Sequence, residues 1–387
     1  MINCLKIWIG FFWMILLFSL GSGSIFPLPD VVAETNRVVA LSAGETFSMA
    51  LLGDGTVRTW GWNKYGQLGN GNNVSSNIPV TVYGLNGVKA IAAGTDFSLV
   101  LKNDGTIWAW GINFRGQLGN GTNKDSAMPV RIQNISGIVA IAAGSNHGIA
   151  LKSDGTVWVW GCNAYGQLGD DGLDTWEPIQ IAGLTGVIAI ASGMNHNLVL
   201  KQDGTVWSWG WNFTGQLGHS VKPDPDFNDF APPKQVKNLE GVIVISAGAS
   251  HSLALKRDGT VWAWGNNGFG QGGNENKSII ASPLQVPNLY HIIAVIAGAD
   301  HSMALKSDGS LWSWGSNRDG QLGNISAKES VIPLLFYGLN RIKAIAAYEH
   351  VLALKTDGSV WGWGYNQFGR ISGGTETILQ PTRITGL

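Results

Sequence analysis

Five of the seven histidines occupy one position of an internal repeat, which makes them the first candidates for chemistry. They are His147, His196, His251, His301 and His350, and Phe47 and Phe97 fill the same position in the first two copies. Imidazoles at equivalent positions of a closed ring could together bind a metal ion. Because the units of such a ring splay apart and phenylalanine replaces histidine twice, we instead expect each histidine to make a hydrogen bond that stabilises a nearby turn.

The other repeated polar residues match the requirements of turns. Aspartate precedes glycine about every 50 residues, at Asp54, Asp104, Asp154, Asp203, Asp258, Asp308 and Asp357. Between two apolar runs this dipeptide predicts a β-hairpin, for which we expect a type I′ turn. An asparagine such as Asn63 follows in every copy and is predicted to adopt a left-handed turn conformation or to bond nearby backbone. We find no nucleophile elbow, phosphate loop or zinc-ligand spacing in the sequence, which predicts a protein without catalytic, cofactor-binding or metal-binding residues.

The repeat itself predicts the architecture that positions these residues. Seven copies run from about Arg37 to Leu387, and a typical copy begins IVAIAAGSNHGIALKSDGTVWVWGCNAYGQLG. Each copy contains three short strand patterns and a later proline-containing segment, which suits an outer edge strand. Seven copies of four strands predict an all-β, seven-bladed propeller. Because Gly386 and Leu387 match pairs that lead into the next copy, we expect the C-terminal strand to pair with the N-terminal strands and complete one blade.

Tryptophans recur in pairs two residues apart, as at Trp108 and Trp110. Side chains at this spacing on a strand project from one face. We expect these rings to pack between neighbouring blades, and an aromatic ligand cage is the alternative.

Aromatic residues in the loop after the third strand are the best candidates for binding a partner. Trp62, Tyr65, Trp211 and Phe213 could act as interface anchors, with packing between blades as the alternative. A longer insertion over residues 219–234 contains Asp224, Asp226, Phe227, Asp229 and Phe230. This acidic and aromatic loop is predicted either to contribute to a partner surface or to be a solvated excursion.

The N-terminal residues differ from the repeats. Residues 7–20 form an uncharged apolar run after Lys6, shorter than the roughly 20 residues that span a membrane and typical of a secretory signal peptide. We expect residues 1–33 to be a signal peptide cleaved before Glu34, or a short retained anchor, and residues 34–387 to be the propeller. The protein would then be secreted or at the cell surface, and would contact membrane only through an uncleaved leader.

Composition narrows the partner classes. Charged residues make up 13% of the chain, the net charge is −1, and no basic stripe stands out. Nucleic acid is therefore not expected as a partner, and we expect a monomer without a cofactor. Cys162 is the one cysteine beyond the leader and is predicted to be a small side chain at a tolerant loop position.

The repeated string ALKxDGTVWxWGxNxxGQLG resembles the regulator of chromosome condensation repeat family over all seven copies. The resemblance implies a seven-bladed propeller. It also implies diverse functions, because the family includes a nuclear exchange factor for the Ran GTPase that binds chromatin, protein-binding modules of ubiquitin ligases and channel regulators, and an exported bacterial inhibitor of β-lactamases. This sequence has an export leader in place of a basic tail and no clear wedge-like insertion.

Three functions follow as hypotheses. The first is an exported, non-enzymatic propeller that presents loops to a protein or cell-surface partner. The second is a guanine-nucleotide exchange factor for a small GTPase, as the resemblance implies. The third is a carbohydrate-active or lytic enzyme, which would require two loop carboxylates about 5–10 Å apart on one face.

Overall fold

The computed structural model describes residues 36–219, 230–323 and 327–387. Within these ranges the chain forms seven antiparallel sheets, each built from four consecutive strands. The first strands of successive sheets pack beside one another around a centre. The chain is therefore an all-β, seven-bladed propeller, as the repeats predict.

The strands are numbered in chain order. Blade one contains β1 (Val38–Ala43), β2 (Phe47–Leu52), β3 (Val57–Gly61) and β4 (Ser76–Thr81). Blade two contains β5 (Val88–Ala93), β6 (Phe97–Lys102), β7 (Ile107–Gly111) and β8 (Ser126–Arg131). Blade three contains β9 (Ile138–Ala143), β10 (His147–Lys152), β11 (Val157–Gly161) and β12 (Thr175–Gln180). Blade four contains β13 (Val187–Ser192), β14 (His196–Lys201), β15 (Val206–Trp211) and β16 (Phe230–Gln235).

The remaining blades repeat the pattern. Blade five contains β17 (Val242–Ala247), β18 (His251–Lys256), β19 (Val261–Gly265) and β20 (Ile280–Gln285). Blade six contains β21 (Ile292–Ala297), β22 (His301–Lys306), β23 (Leu311–Ser316) and β24 (Glu329–Phe336). Blade seven contains β25 (Ile342–Ala347), β26 (His350–Lys355), β27 (Val360–Gly364) and β28 (Ile378–Arg383), with a 3-10 turn over Gln367–Gly369.

The ring closes differently from the prediction. The expected pairing of the C-terminal strand with the N-terminal strands is wrong, because β28 pairs with β27 and β1 pairs with β2. Blades one and seven instead meet through side chains: the Oγ of Ser48 lies 2.7 Å from Nε2 of His350, and the indole N–H of Trp60 donates to the carbonyl of Arg370 at 2.8 Å. Each blade is thus complete in itself, and closure depends on the same interblade contacts as every other seam.

The second tryptophan of each pair forms the core between blades. Trp60, Trp110, Trp160, Trp209, Trp264, Trp314 and Trp363 are all fully buried. Each indole N–H crosses to the preceding blade, as when Trp110 donates to the carbonyl of Gln67 at 2.8 Å. The predicted interblade packing is confirmed for these rings.

The first tryptophan of each pair is half-buried beneath a lysine of its own blade. The Nζ of Lys306 lies 4.5 Å from the ring centroid of Trp312, a cation–π contact that recurs in other blades. Blade one has Leu52 and Arg58 at these two positions, so it lacks both members of the pair. This first set of rings therefore covers the surface rather than the deep core.

The Asp-Gly sites form the predicted hairpins with a different turn. Gly55 has φ of +80° whereas Asp54 is not among the residues with positive φ, which excludes a type I′ turn. The amide of Gly55 donates to the carbonyl of Leu52 at 3.0 Å, as in a type I turn followed by a left-handed glycine. Asp54 instead accepts hydrogen bonds from the hydroxyl of Thr56 at 2.6 Å and from its amide at 2.8 Å, which together keep the pKa of Asp54 below the usual range.

Candidate protein-interaction face

The propeller has two faces, named here by their connections. The loop face carries the turn between the first and second strands of each blade and the loop between the third and fourth strands. The turn face carries the Asp-Gly turns and the connections from one blade to the next. Three of the predicted anchors, Trp62, Tyr65 and Phe213, follow a third strand, and Trp211 is the last residue of one. All four therefore lie on the loop face.

Repeated asparagines hold the loops of this face in one conformation. The amide group of Asn63 donates to the carbonyls of Asn72 and Val74 at 2.9 and 3.0 Å, and its Oδ1 accepts the amide of Leu68 at 2.9 Å. The predicted bonds to nearby backbone are confirmed. The left-handed conformation is wrong for these asparagines, none of which is among the residues with positive φ.

The glutamine of each Gly-Gln pair joins its blade to the next one. In blade one, Gln67 accepts the amide of Tyr65 at 3.0 Å and donates to Oδ1 of Asp96 in blade two at 3.0 Å. The same link runs from Gln117 to Asn146 at 3.1 Å. The loops are therefore fixed both within and between blades, which gives the face a rigid framework.

Four of the five repeated histidines bond to the neighbouring blade and none bonds to a turn through its ring, so the turn-stabilising interpretation is wrong. Nε2 of His196 lies 3.0 Å from Oγ of Ser252, and Nε2 of His251 lies 2.9 Å from Oγ of Ser302. His301 faces Val351 at the corresponding position, and neither of its ring nitrogens has a hydrogen-bond partner within the described ranges.

Burial lowers the pKa of these imidazoles. The pKa is about 4 for His147 and His301 and about 3 for His196 and His251, because burial disfavours the charged form. The rings are therefore neutral at physiological pH. In the part of the chain that the structure describes, no group of three or more His, Cys, Asp and Glu side chains has the geometry of a metal site.

The centre of the ring is too small for a ligand. Its cavity, lined by the alanines and glycines that end the first strands, has a volume of about 100 Å³. Backbone hydrogen bonds narrow it at the loop face, such as that from the amide of Ala299 to the carbonyl of Tyr348 at 2.8 Å. In blade seven Ala347 ends β25, and the turn that follows is one residue shorter than the corresponding turn of the other blades.

Arg370 replaces the repeated glutamine at the seam between blades seven and one. It is 1% exposed, donates to the backbone carbonyl of Glu45, and lies 3.2 Å from Oε2 of Glu349. Burial raises the pKa of both Asp96 and Glu349, and Glu45 adds to the shift. Thr46 and Gln67 bind Asp96 across the seam between blades one and two. Arg370 binds Glu349 within blade seven and crosses to blade one through the carbonyl of Glu45.

Two of the predicted aromatic anchors, both in blade one, lie at the seam between blades seven and one. Trp62 stacks on Phe368 of blade seven with ring centroids 4.8 Å apart and meets Tyr65 edge-on at 5.8 Å. All three rings remain half-buried. This first aromatic cluster therefore packs between blades, as the alternative interpretation held, and still presents ring edges to solvent.

The other two anchors form a second cluster between blades three and four. Trp211 lies 5.5 Å from Tyr165 and stacks on Phe213 at 5.8 Å, measured between ring centroids. Tyr165 is 40% exposed and Phe213 is 38% exposed. The structure thus places the four predicted residues in two separate clusters rather than in one site.

A groove between blades two and three separates these clusters, and sequence reasoning did not single it out. It has a volume of about 630 Å³ and is lined by Phe114, Leu173 and Trp176. Phe114 is 55% exposed and Leu173 is 89% exposed. Arg115 and Asp174 form an ion pair of 3.1 Å in its wall. Leu173 and Trp176 belong to the variable segment of blade three, which carries no repeated signal.

The insertion lies largely outside the described residues. Asp224, Asp226, Phe227 and Asp229 fall in the range 220–229, and the structure describes Phe230 only as the first residue of β16. Phe230 pairs with Trp211, so the described ends of the insertion are on the loop face. Its role in partner binding stays a prediction.

Cys162 is buried without a disulfide.

The two faces differ in charge. Every described charged residue except Glu177 lies in a connection or is one of the two residues at an end of a strand, and so belongs to one face. The loop face has seven basic residues (lysine and arginine) and twelve acidic residues (aspartate and glutamate). The turn face has sixteen basic and eight acidic residues. The disc is therefore polarised, with an acidic loop face and a basic turn face.

No helix in the described ranges is long and apolar enough to cross a membrane.

Comparisons with known proteins indicate the family to which the chain is similar. A family model for the RCC1-like domain matches residues 20–289 and 174–387. Prp20p of Saccharomyces cerevisiae, studied for its binding to Gsp1p and histones, has a similar structure, with a TM-score of 0.78 and 24% identity over 92% of this chain and 89% of that one.

Two human proteins are also similar. WBSCR16 gives a TM-score of 0.76 with 21% identity, over 85% of this chain and 94% of that one. The E3 ubiquitin-protein ligase HERC2 is 36% identical over 74 residues, which is 17% of this chain and 2% of HERC2. The chain thus spans a very small part of HERC2, and the two structural likenesses concern the fold alone.

Proposed function

Because the chain belongs to the RCC1-like domain family, we propose that it is a non-enzymatic propeller that binds a protein partner through its loop face. The observation that carries this proposal is the exposure of Phe114, Tyr165 and Phe213, which are 38–55% exposed on loops fixed by hydrogen bonds. Aromatic rings on a rigid frame lose little conformational entropy when they bind, which makes them effective interface anchors.

Charge and shape define the partner surface. The loop face is acidic, so a complementary partner carries lysine or arginine around an apolar centre. The groove of about 630 Å³ between Phe114, Leu173 and Trp176 is large enough to accept one or two apolar side chains of that partner. The ion pair between Arg115 and Asp174 adds polar groups to the wall of this groove.

We further propose that the protein is exported. The support is the apolar run over residues 7–20 after Lys6, followed by small residues near Glu34. Intact mass and cell fractionation test this proposal. A chain beginning near Glu34 outside the cytosol supports export, and a chain beginning at Met1 in the cytosol contradicts it.

A nucleotide exchange factor is the alternative that the family suggests. Prp20p was studied for its binding to Gsp1p, but its 24% identity to this chain supports a shared fold and not a shared partner. An exchange assay with a small GTPase separates the two proposals, since a binding propeller leaves the rate of nucleotide release unchanged.

The test of the loop face compares two double variants. Phe114→Ser with Phe213→Ser removes exposed rings from the loop face, and Tyr83→Ser with Tyr337→Ser removes exposed rings from the turn face as a matched control. We expect a protein captured by the wild type to bind the first variant at least about tenfold more weakly and the second with unchanged affinity. Equal affinities for all three proteins, or a loss only in the control, would refute the proposed face.

A further inference from the structure

Every blade has a β-bulge at the same place on its innermost strand. In blade one, Val38 pairs with Leu52 and Ala40 pairs with Leu51, so Val39 has no partner. The same shift recurs in the other six blades. A bulge redirects its side chain, and these residues lie at the turn face around the central opening. We call them the bulge ring: Val39, Lys89, Val139, Ile188, Ile243, Ile293 and Lys343.

The fold does not require apolar residues in the bulge ring. Blades two and seven have lysine at this position, yet their strands form the same sheet. Blades three to six nevertheless carry valine or isoleucine, and Val139, Ile243 and Ile293 are 41–48% exposed. Three of these four consecutive blades thus present an apolar arc to solvent, whereas Ile188 of blade four is half-buried against the core. An exposed apolar arc suggests a surface that is covered in the functioning protein.

The surroundings of this arc are basic and aromatic. Tyr290 is exposed in the connection beside it, and Tyr83 and Tyr337 are exposed in equivalent connections on the same face. A lysine ends the second strand of six blades, and the turn face has sixteen basic and eight acidic residues in all. The Asp-Gly aspartates among the acidic residues are bound within their own turns. Aliphatic side chains, tyrosines and lysines together are typical of protein surfaces that lie on an anionic bilayer.

The point at which the chain enters the propeller also favours a membrane at the turn face. Arg37 lies on the turn face, where its carbonyl accepts the amide of Gly53 at 2.8 Å. The apolar run of residues 7–20 is separated from Asn36 by residues 21–35, which span at most about 50 Å when extended. A leader retained in a bilayer would therefore hold the propeller within about 50 Å of the lipid, by a connection that enters at the turn face.

We propose that the turn face is a membrane-docking surface for anionic lipid, in which the apolar arc inserts at the headgroup level and the lysines contact the lipid charge. This inference goes beyond the partner-binding proposal, which concerns the opposite face. It holds for a retained anchor and for a cleaved leader. In either case the propeller lies flat on the membrane with its loop face pointing away from the lipid.

The test measures which lysines a membrane covers. The full chain is mixed with vesicles of phosphatidylcholine containing about 30% phosphatidylserine, or with phosphatidylcholine alone, and lysine acetylation is followed by mass spectrometry. Lys201, Lys256 and Lys306 report on the turn face, and Lys64, Lys124 and Lys277 report on the loop face. We expect anionic vesicles to slow acetylation of the first set at least about threefold and to leave the second set unchanged.

Two variants show whether the apolar arc is responsible. Ile243→Glu with Ile293→Glu places charge in the arc, and Val74→Glu with Leu173→Glu makes the same change at exposed loop-face positions. Because all three proteins keep the leader, a difference between them reports on the propeller. We expect protection to be lost in the first variant and kept in the second. Equal protection of both faces, protection that survives in the arc variant, or the same protection by double-stranded DNA as a soluble polyanion would overturn the proposal.

Discussion

Replacement of His301 by phenylalanine is predicted to make the protein more resistant to acid. Phe47 and Phe97 occupy this position naturally in blades one and two, so the ring fits the site. His301 is fully buried, its nitrogens have no partner in the described ranges, and burial lowers its pKa from 6.5 to about 4. The substitution therefore removes one buried titrating group without removing a hydrogen bond.

The magnitude follows from proton linkage. Below pH 6.5 the unfolded chain binds a proton at this histidine that the folded chain does not bind until about pH 4, so folding stability falls as the pH falls through this window. At pH 5 the loss is about 2 kcal/mol for one such histidine. His147, His196 and His251 have similar pKa values and bring the combined loss to roughly 8 kcal/mol, which is comparable to the total stability of many proteins.

Urea unfolding at pH 7 and pH 5, followed by tryptophan fluorescence, measures the effect. We expect His301→Phe to be about 1 kcal/mol more stable than the wild type at pH 7, because two unpaired buried nitrogens are removed. At pH 5 the advantage should grow to about 3 kcal/mol. His196→Phe is the matched control: it should gain the same acid resistance but lose about 1 kcal/mol at pH 7, since its hydrogen bond to Ser252 is removed and Ser252 keeps only its bond to the carbonyl of Gln216. A pH dependence identical to that of the wild type in both variants would refute the reasoning.

Three further substitutions test the packing. Trp314→Ala should lower the free energy of unfolding by about 3–5 kcal/mol, and Trp312→Ala by clearly less, because only the ring of Trp314 is fully buried. Equal losses in chemical denaturation would contradict this assignment. Arg370→Ala should lower the free energy of unfolding by about 3 kcal/mol or more, because Glu349 and the carbonyl of Glu45 lose their partner. Arg370→Gln restores the residue of the other copies and should lower it by less. The reverse order would argue against a role for Arg370 at the seam. Gly298→Ala should lower the melting temperature because its Cβ would lie 2.3 Å from the His301 ring, whereas Gly268→Ala, with its nearest neighbour at 3.4 Å, should leave it unchanged.

The sequence predicts the blades because each strand is encoded by local residues that recur. Proline marks the outer strand, Asp-Gly marks the hairpin, and the second tryptophan of each pair marks the buried side. Closure could not be predicted in the same way. The similarity of Gly386 and Leu387 to internal pairs is compatible with a blade shared between the termini or with separate blades, and β28 pairs only within blade seven.

The histidine contacts and the bulge ring lay beyond sequence reasoning for another reason. The partner of His251 is Ser302, 51 residues away, and only the stacking of blades brings them together. The bulge at Val39 arises from a shift in strand register that becomes visible only when the strand is paired with its neighbour. The groove between Phe114 and Leu173 likewise depends on two variable loops in different blades.

Photo-crosslinking in the cells that make the protein tests the central claim most directly. A photoreactive amino acid replaces Phe114, Tyr165 or Phe213 on the loop face, and Ser153 or Ser307 on the turn face as controls. Binding through the loop face predicts a defined protein adduct from the first three positions and none of that mass from the controls. The same adduct from both faces, or from the turn face alone, would contradict the claim that the loop face binds the partner.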